Sequence, residues 1–267
     1  MNIQLLAIDP QNDFCDQPGA ALPVPGATGD LDRLATMIDR LGPKLDDIHV
    51  TLDSHGTHHI AHPNLWINSK GEHPELYSVL SEDSVVSGEW SLIFSDHDLR
   101  QRAIDYVKAL KVNDRYELRI WPPHCRIGTW GTSVYPNLMD ALIRWEENET
   151  ANVDYVTKGS NMMTEHYSAV KADVPDLEDE TTLLNTDLIE ILQTSDDVLV
   201  GGEALQFCVA STVRDVADEF GEDNISKFVL LEDCSSNVAG SEFLGEQFVN
   251  EMVARGMRVT TSVDYLA

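Results

Sequence analysis

Apolar runs of strand length alternate with helical repeats along most of the chain. Ile3–Asp9, Asp47–Leu52, Val153–Thr157, Asp197–Gly201 and Phe228–Leu231 read as short buried strands. Tyr116–Ile120 is a weaker candidate because charges interrupt it. Between these runs apolar residues recur three or four positions apart. Leu31, Leu34, Ile38 and Leu41 predict a helix with Asp30 as N-cap and Gly42 as stop signal. Ile104, Val107 and Leu110 predict a second helix, within Asp98–Lys111. Further helices are expected at Leu138–Trp145, at Val209–Phe220 ending on Gly221, and from Phe243 to Gly256.

Strand and helix in alternation predict an α/β fold: a doubly wound, mainly parallel sheet with helices on both faces and right-handed crossovers. Residues 1–267 are expected to form a single domain, with a long loop or insertion at about 54–96. In such sheets chemistry gathers beyond the carboxyl ends of the strands. Asp9, Asp53 and Lys158 stand at three of those ends, and the strand ending at Gly201 leads through a short turn to Cys208.

Composition narrows the field. Hydrophobic residues make up 42% of the 267, enough for a sizeable core. Eighteen basic residues against 46 acidic ones give a net charge of −28, which repels phosphate backbones and anionic membranes. Neither nucleic acid nor membrane is therefore an expected partner. The acid-rich stretch Asp173–Glu180 is broken by Val174, Pro175 and Leu177 and reads as a solvated loop. The opening residues MNIQLLAIDP lack the basic start of a signal peptide and read as a strand, and no apolar run approaches the ~20 residues that span a bilayer. Four cysteines without a C-x-x-C pair fit a reducing, cytoplasmic location.

Two constellations carry chemistry. In the first, Cys208 sits where a strand turns into a helix, a position that favours a thiolate and presents amides to a developing oxyanion. An aspartate such as Asp9 can move the proton, and a lysine such as Lys158 can stabilise the charge. The same cysteine, before Val-Ala-Ser-Thr-Val, also has the pattern of a small buried hydrophobe. The second is Asp53-Ser54-His55, with His58, His59 and His62 behind it and His124 further on. A carboxylate and two imidazoles can hold one cation and leave positions open. A polar, histidine-rich surface loop has the same composition.

These residues resemble a known family. Asp9-Pro10-Gln11-Asn12-Asp13-Phe14 is similar to the D-x-Q-N-D-F opening of nicotinamidases and the wider isochorismatase-like cysteine hydrolases. Asp53-x-His55, Trp121-Pro122-Pro123-His124-Cys125, Lys158-Gly159 and Gly202-x-Ala204-x-x-x-Cys208-Val209 resemble four further family motifs, in family order. The resemblance implies a triad of Asp9 as proton-transfer base, Lys158 as charge stabiliser and Cys208 as nucleophile. It implies an oxyanion hole from the amides of Ala204 and Cys208, with a cis peptide at Glu203-Ala204. It also implies a divalent metal, in the first place zinc, at Asp53, His55 and His124, with His59 as a possible fourth ligand. Phe14 and Trp121 match positions that flank the substrate ring, and they equally suit core packing. A homo-oligomer acting on a small-molecule amide is the implied working form.

Some positions depart from the family pattern: Gly56 stands for a common proline, Gln206 precedes the nucleophile by two, and His62 occupies a loop that more often continues Ser-Phe. Three readings follow. The first is a nicotinamidase, converting nicotinamide to nicotinate and ammonia through a Cys thioester in NAD salvage. The second is a relative acting on a carbamoyl or ureido compound, and the third a non-catalytic binding protein of the same fold. The full metal motif favours the first over the second, and the intact Asp9, Lys158 and Cys208 argue against the third.

Overall fold

The computed structural model describes residues 1–113 and 115–267. In chain order its elements are β1 (Ile3–Ile8), α1 (Ala27–Leu41), β2 (Asp47–Asp53), β3 (Trp66–Ile67), α2 (Glu82–Val86), β4 (Ser91–Leu92), α3 (His97–Val112), α4 (Pro136–Glu149), β5 (Asp154–Lys158), α5 (Thr186–Gln193), β6 (Asp197–Gly202), α6 (Ala210–Phe220), β7 (Phe228–Leu231), α7 (Glu242–Arg255) and β8 (Arg258–Thr260). Six strands form one parallel sheet in the order β5-β2-β1-β6-β7-β8. The chain winds outward from β1 through β2 to β5, then returns to β6 on the other side of β1. The order reverses between β1 and β6, where such sheets open a crevice for ligands.

Side chains alternate across the sheet. Ile3, Leu5 and Ala7 of β1, with Leu199 of β6 and Val229 of β7, pack under α1 and α4. Leu6, Ile8, Val198, Val200, Phe228 and Leu230 pack against α5, α6 and α7 on the opposite face. Burial on both faces is why the central strands are uninterrupted apolar runs. Among the described residues no helix is long and apolar enough to cross a membrane.

All five stronger strand expectations hold to within a residue at each end. Tyr116–Ile120 does not join the sheet. It lies antiparallel beside Tyr77–Leu80, with Leu80 N donating to Leu118 O (2.8 Å) and Ile120 N to Ser78 O (2.8 Å). Its alternating charges suit a ribbon with one covered face, not a sheet with two. Helix α1 begins three residues before Asp30, after Gly26. Asp16 caps it from a distant loop, accepting from Gly26 N (3.1 Å) and Thr28 N (2.9 Å), while Asp30 pairs with Arg33 inside the helix. The 54–96 stretch is structured: β3 and β4 pair as a small antiparallel ribbon, α2 packs on α3, and Trp66 is fully buried.

Candidate active site

Asp9 follows β1 with a positive φ of 42° and is fully buried. Thr51, inward-facing on β2, donates its hydroxyl to Asp9 Oδ1 (2.5 Å) and accepts from Asp9 N (2.9 Å). Lys158 ends β5, in register with Asp53. Its ammonium reaches back across β2 to stand 2.9 Å from Asp9 Oδ2, 3.3 Å from Asp53 Oδ1 and 3.7 Å from Cys208 Sγ, and it donates to His166 O (2.9 Å). The Lys158–Asp9 contact is an ion pair without hydrogen-bond alignment, so Asp9 Oδ2 has no hydrogen-bond partner among the described residues.

Cys208 lies on a wide π-type turn, Leu205–Val209, that joins β6 to α6. The Glu203–Ala204 peptide before it is cis, as the resemblance implies. Gly202 allows this crossing: at φ +114° a Cβ there would meet Ile8 O at 2.0 Å.

The electrostatics depart from one expectation. Burial pushes the Cys208 thiol well above its ordinary range; Lys158 opposes this, and the nearby Asp9 and Asp53 reinforce it. Desolvation thus outweighs the lysine and the helix end at this sulfur. Burial likewise raises Asp9, against the pull of Lys158. Burial alone would discharge Lys158, but Asp53 and Asp9 hold it well above its usual value, so it stays an ammonium.

Beside this trio stands the second cluster. Asp53 Oδ2 is 2.8 Å from His55 Nε2 and 3.2 Å from His124 Nε2. The other ring nitrogens face backbone carbonyls: His55 Nδ1 donates to Gly159 O (2.9 Å) and His124 Nδ1 to Pro122 O (2.8 Å). A neutral imidazole that donates through Nδ1 presents a lone pair at Nε2. Two such lone pairs would then face one carboxylate oxygen. A shared divalent cation resolves that conflict, and carbonyl-anchored Nδ1–H groups are the usual support of histidine ligands. The donor atoms lie within 4.8 Å of one another, so the residues fit a metal.

His59 and His62 are buried behind His55, while His58 is half-buried against Phe94. His59 is committed to backbone: Nε2 donates to Thr164 O (3.1 Å) and Nδ1 accepts from Ala61 N (3.3 Å). Neither nitrogen of His62 has a partner among the described residues.

Both constellations open on one narrow cavity, lined by Asp53, His124, Lys158 and Cys208 among others. Phe14 and Trp121, expected on the ring's flanks, do line it, together with Leu22, Tyr167, Phe207 and Val238. Trp121 donates its indole N–H to Tyr167 (2.8 Å), and Phe207 stacks on Tyr167 at 5.4 Å. The buried carboxyl of Glu165 also faces this space. Thr51, Glu165 and Tyr167 escaped the sequence reading. Thr51 is an unremarkable strand residue by composition, and the other two lie in an irregular loop with no periodicity to mark them.

The doubly wound sheet thus carries a cysteine at its switch-point turn, a lysine that bridges it to an aspartate, and a two-histidine, one-carboxylate cluster alongside. Known proteins share this fold. The chain is 26% identical over 216 residues to the nicotinamidase of Saccharomyces cerevisiae, spanning 80% of this chain and 81% of that protein. The solved yeast nicotinamidase superposes with a TM-score of 0.67 at 22% identity, over 97% of this chain and 99% of that one. A nicotinamidase/pyrazinamidase of Acinetobacter baumanii gives 0.65 at 22% identity, over 98% and 97%. The zinc complex of a Pyrococcus horikoshii pyrazinamidase gives 0.56 at 19%, over 98% and 99%. No family model matches the chain. These likenesses bear out the resemblance carried by the five motifs.

Proposed function

We propose that this chain is a nicotinamidase, an amidohydrolase that converts nicotinamide to nicotinate and ammonia. The observation that carries this reading is the contact of Cys208, Asp9 and Lys158 at one end of an aromatic cavity whose other side holds Asp53 and His124. The lining of Phe14, Trp121, Tyr167 and Phe207 suits a single flat ring. The zinc named for the Pyrococcus pyrazinamidase supports a metal at Asp53, His55 and His124. When bound there, it supplies a Lewis acid for a ring nitrogen of the substrate.

The steps follow from the side chains. Cys208 passes its thiol proton to the free Oδ2 of Asp9 as sulfur bonds to the carboxamide carbon. The carbonyl electrons move to oxygen, where the amides of Ala204 and Cys208 hold the charge. The C–N bond then breaks, and the amine takes the proton back from Asp9 and leaves as ammonia. Water attacks the resulting thioester, giving its proton to Asp9, and the S–C bond breaks to release the acid as Asp9 returns that proton to the Cys208 sulfur. Lys158 keeps Asp9 and Asp53 charge-balanced throughout. Phe14 and Trp121 hold the ring between them.

The whole chain acts as one catalytic domain in this reading, with the 54–96 segment supplying metal-side histidines. All four cysteines are unpaired, which suits a reducing, cytoplasmic setting; a place in NAD salvage belongs to the proposed reaction. A homo-oligomer is part of the proposal; a sedimentation mass of a single chain would overturn that part. The deciding assay incubates the protein with nicotinamide and measures ammonia and nicotinate, with and without a chelator. Release that requires Cys208 supports the reading. Inertness toward nicotinamide, with turnover of a ureido compound, would replace it.

A further inference from the structure

His62 is buried among three other imidazoles, its ring centroid 5.0 Å from His55, 5.1 Å from His59 and 5.3 Å from His124. Neither of its nitrogens has a hydrogen-bond partner among the described residues. A buried polar group without a partner is costly, and such groups in native proteins have a reason. His59, the nearer histidine in sequence, has no free nitrogen to offer because both are spent on backbone.

We propose that His62, and not His59, is a fourth protein ligand of the cation held by Asp53, His55 and His124. Ring spacing supports the choice. An imidazole ligating zinc at its usual bond length puts its centroid about 3.2 Å from the metal, so two imidazoles at a tetrahedral angle have centroids about 5.2 Å apart. His55–His62 at 5.0 Å, His62–His124 at 5.3 Å and His55–His124 at 4.9 Å all match. His55–His59, at 4.1 Å, is too close. Donor atoms of His55, His59 and His62 all lie within 4.8 Å of one another, so it is the free nitrogens and the ring spacing that choose His62 over His59. No hydrogen bond opposes a turn of the His62 ring toward the cation. Three imidazoles and one carboxylate make a nitrogen-rich set, which selects zinc-like cations over magnesium or calcium.

This inference rests on the metal site proposed above, and the test separates the two. Zinc is added to metal-free protein and its neighbours are counted by X-ray absorption, while affinity is read by competition with a chromophoric chelator. Wild-type protein should show three imidazoles. His62→Phe should show two and bind zinc at least tenfold more weakly, and His59→Phe should keep three. Two imidazoles in the wild type, or three in His62→Phe, would overturn the role of His62 and leave the metal site standing. Failure of wild-type protein to bind zinc overturns both. If His62→Phe does not fold, the wild type and His59→Phe decide together: three imidazoles in both support His62, and fewer than three in either overturn it.

Discussion

The Lys158 ammonium stands 2.9 Å from Asp9 Oδ2 although the two residues end strands that are not neighbours in the sheet. The lysine reaches over β2 and ties Asp9 and Asp53 into one buried charge network. Removing it leaves two buried carboxylates with less compensation, which costs on the order of 3–5 kcal/mol for a broken buried pair. Lys158→Met is therefore expected to lose both stability and turnover. Asp9→Asn keeps the shape, and is expected to lower kcat by about 10²–10⁴ as a lost proton carrier. Thermal unfolding and steady-state kinetics on the two variants check this; an active Asp9→Asn protein would remove Asp9 from the mechanism.

Cys208→Ala should reduce ammonia release below detection with little change in unfolding temperature or zinc content. The Cys208 sulfur stands 3.7 Å from Lys158 Nζ and, among the described residues, makes no hydrogen bond to the metal-cluster side chains, so fold and metal are expected to survive its loss. Turnover in the alanine variant would refute the nucleophile assignment.

Gly159 joins the two constellations. At φ +83° a Cβ there would lie 2.7 Å from Asp53 Oδ1 and 2.8 Å from His55 Cε1. Gly159→Ala should displace both side chains and weaken zinc binding. Dialysis of the wild type against a chelator should abolish activity, and added zinc should restore it. Zinc stoichiometry, measured beside activity, tests both statements.

Acid should destabilise the metal-free protein through His166. Burial, with Lys158 beside it, holds this imidazole neutral down to about 3. The unfolded chain takes up the proton near 6.5, so the unfolded state binds more protons between those values. The contribution of His166 is fully present above about 6.5 and is lost as pH falls through that window, with a slope of ~1.4 kcal/mol per pH unit. His166→Asn should flatten the fall by about one proton in urea-unfolding curves taken from pH 7 to 4. An unchanged slope would show that His166 is not held neutral.

The apolar wall can be tested through Tyr167. Tyr167→Phe strands the Trp121 indole N–H that it now accepts. An unsatisfied buried donor costs about 1–3 kcal/mol, and KM for nicotinamide should rise as Trp121 loses its anchor. A KM equal to wild type would place the Trp121–Tyr167 bond outside substrate binding.

The central strands were legible because each is covered on both faces, which leaves an unbroken apolar run such as Val198–Val200 in the sequence. β8 was not, since its Arg258-Val259-Thr260 lies at an edge and is partly exposed. The β3–β4 ribbon has two residues per strand, too few for any periodicity to register. Asp30 met the local rule for an N-cap, yet α1 starts earlier because Asp16, fourteen residues upstream, supplies the cap.

The chemistry divides along the same line. Sequence alone determined which groups exist and that Asp9, Asp53, Lys158 and Cys208 fall at strand ends or the turn beyond them, since strand length and punctuation are local properties. Tertiary structure decided how those groups behave. Desolvation at a buried turn pushes the Cys208 thiol up, against the thiolate that the local pattern favours. Backbone contacts from Thr164 and Ala61 occupy His59 and leave His62 free, although the two histidines are three residues apart in one loop. Charge state and ligand availability depend on what packs around a side chain, and that is set by segments far away in the chain.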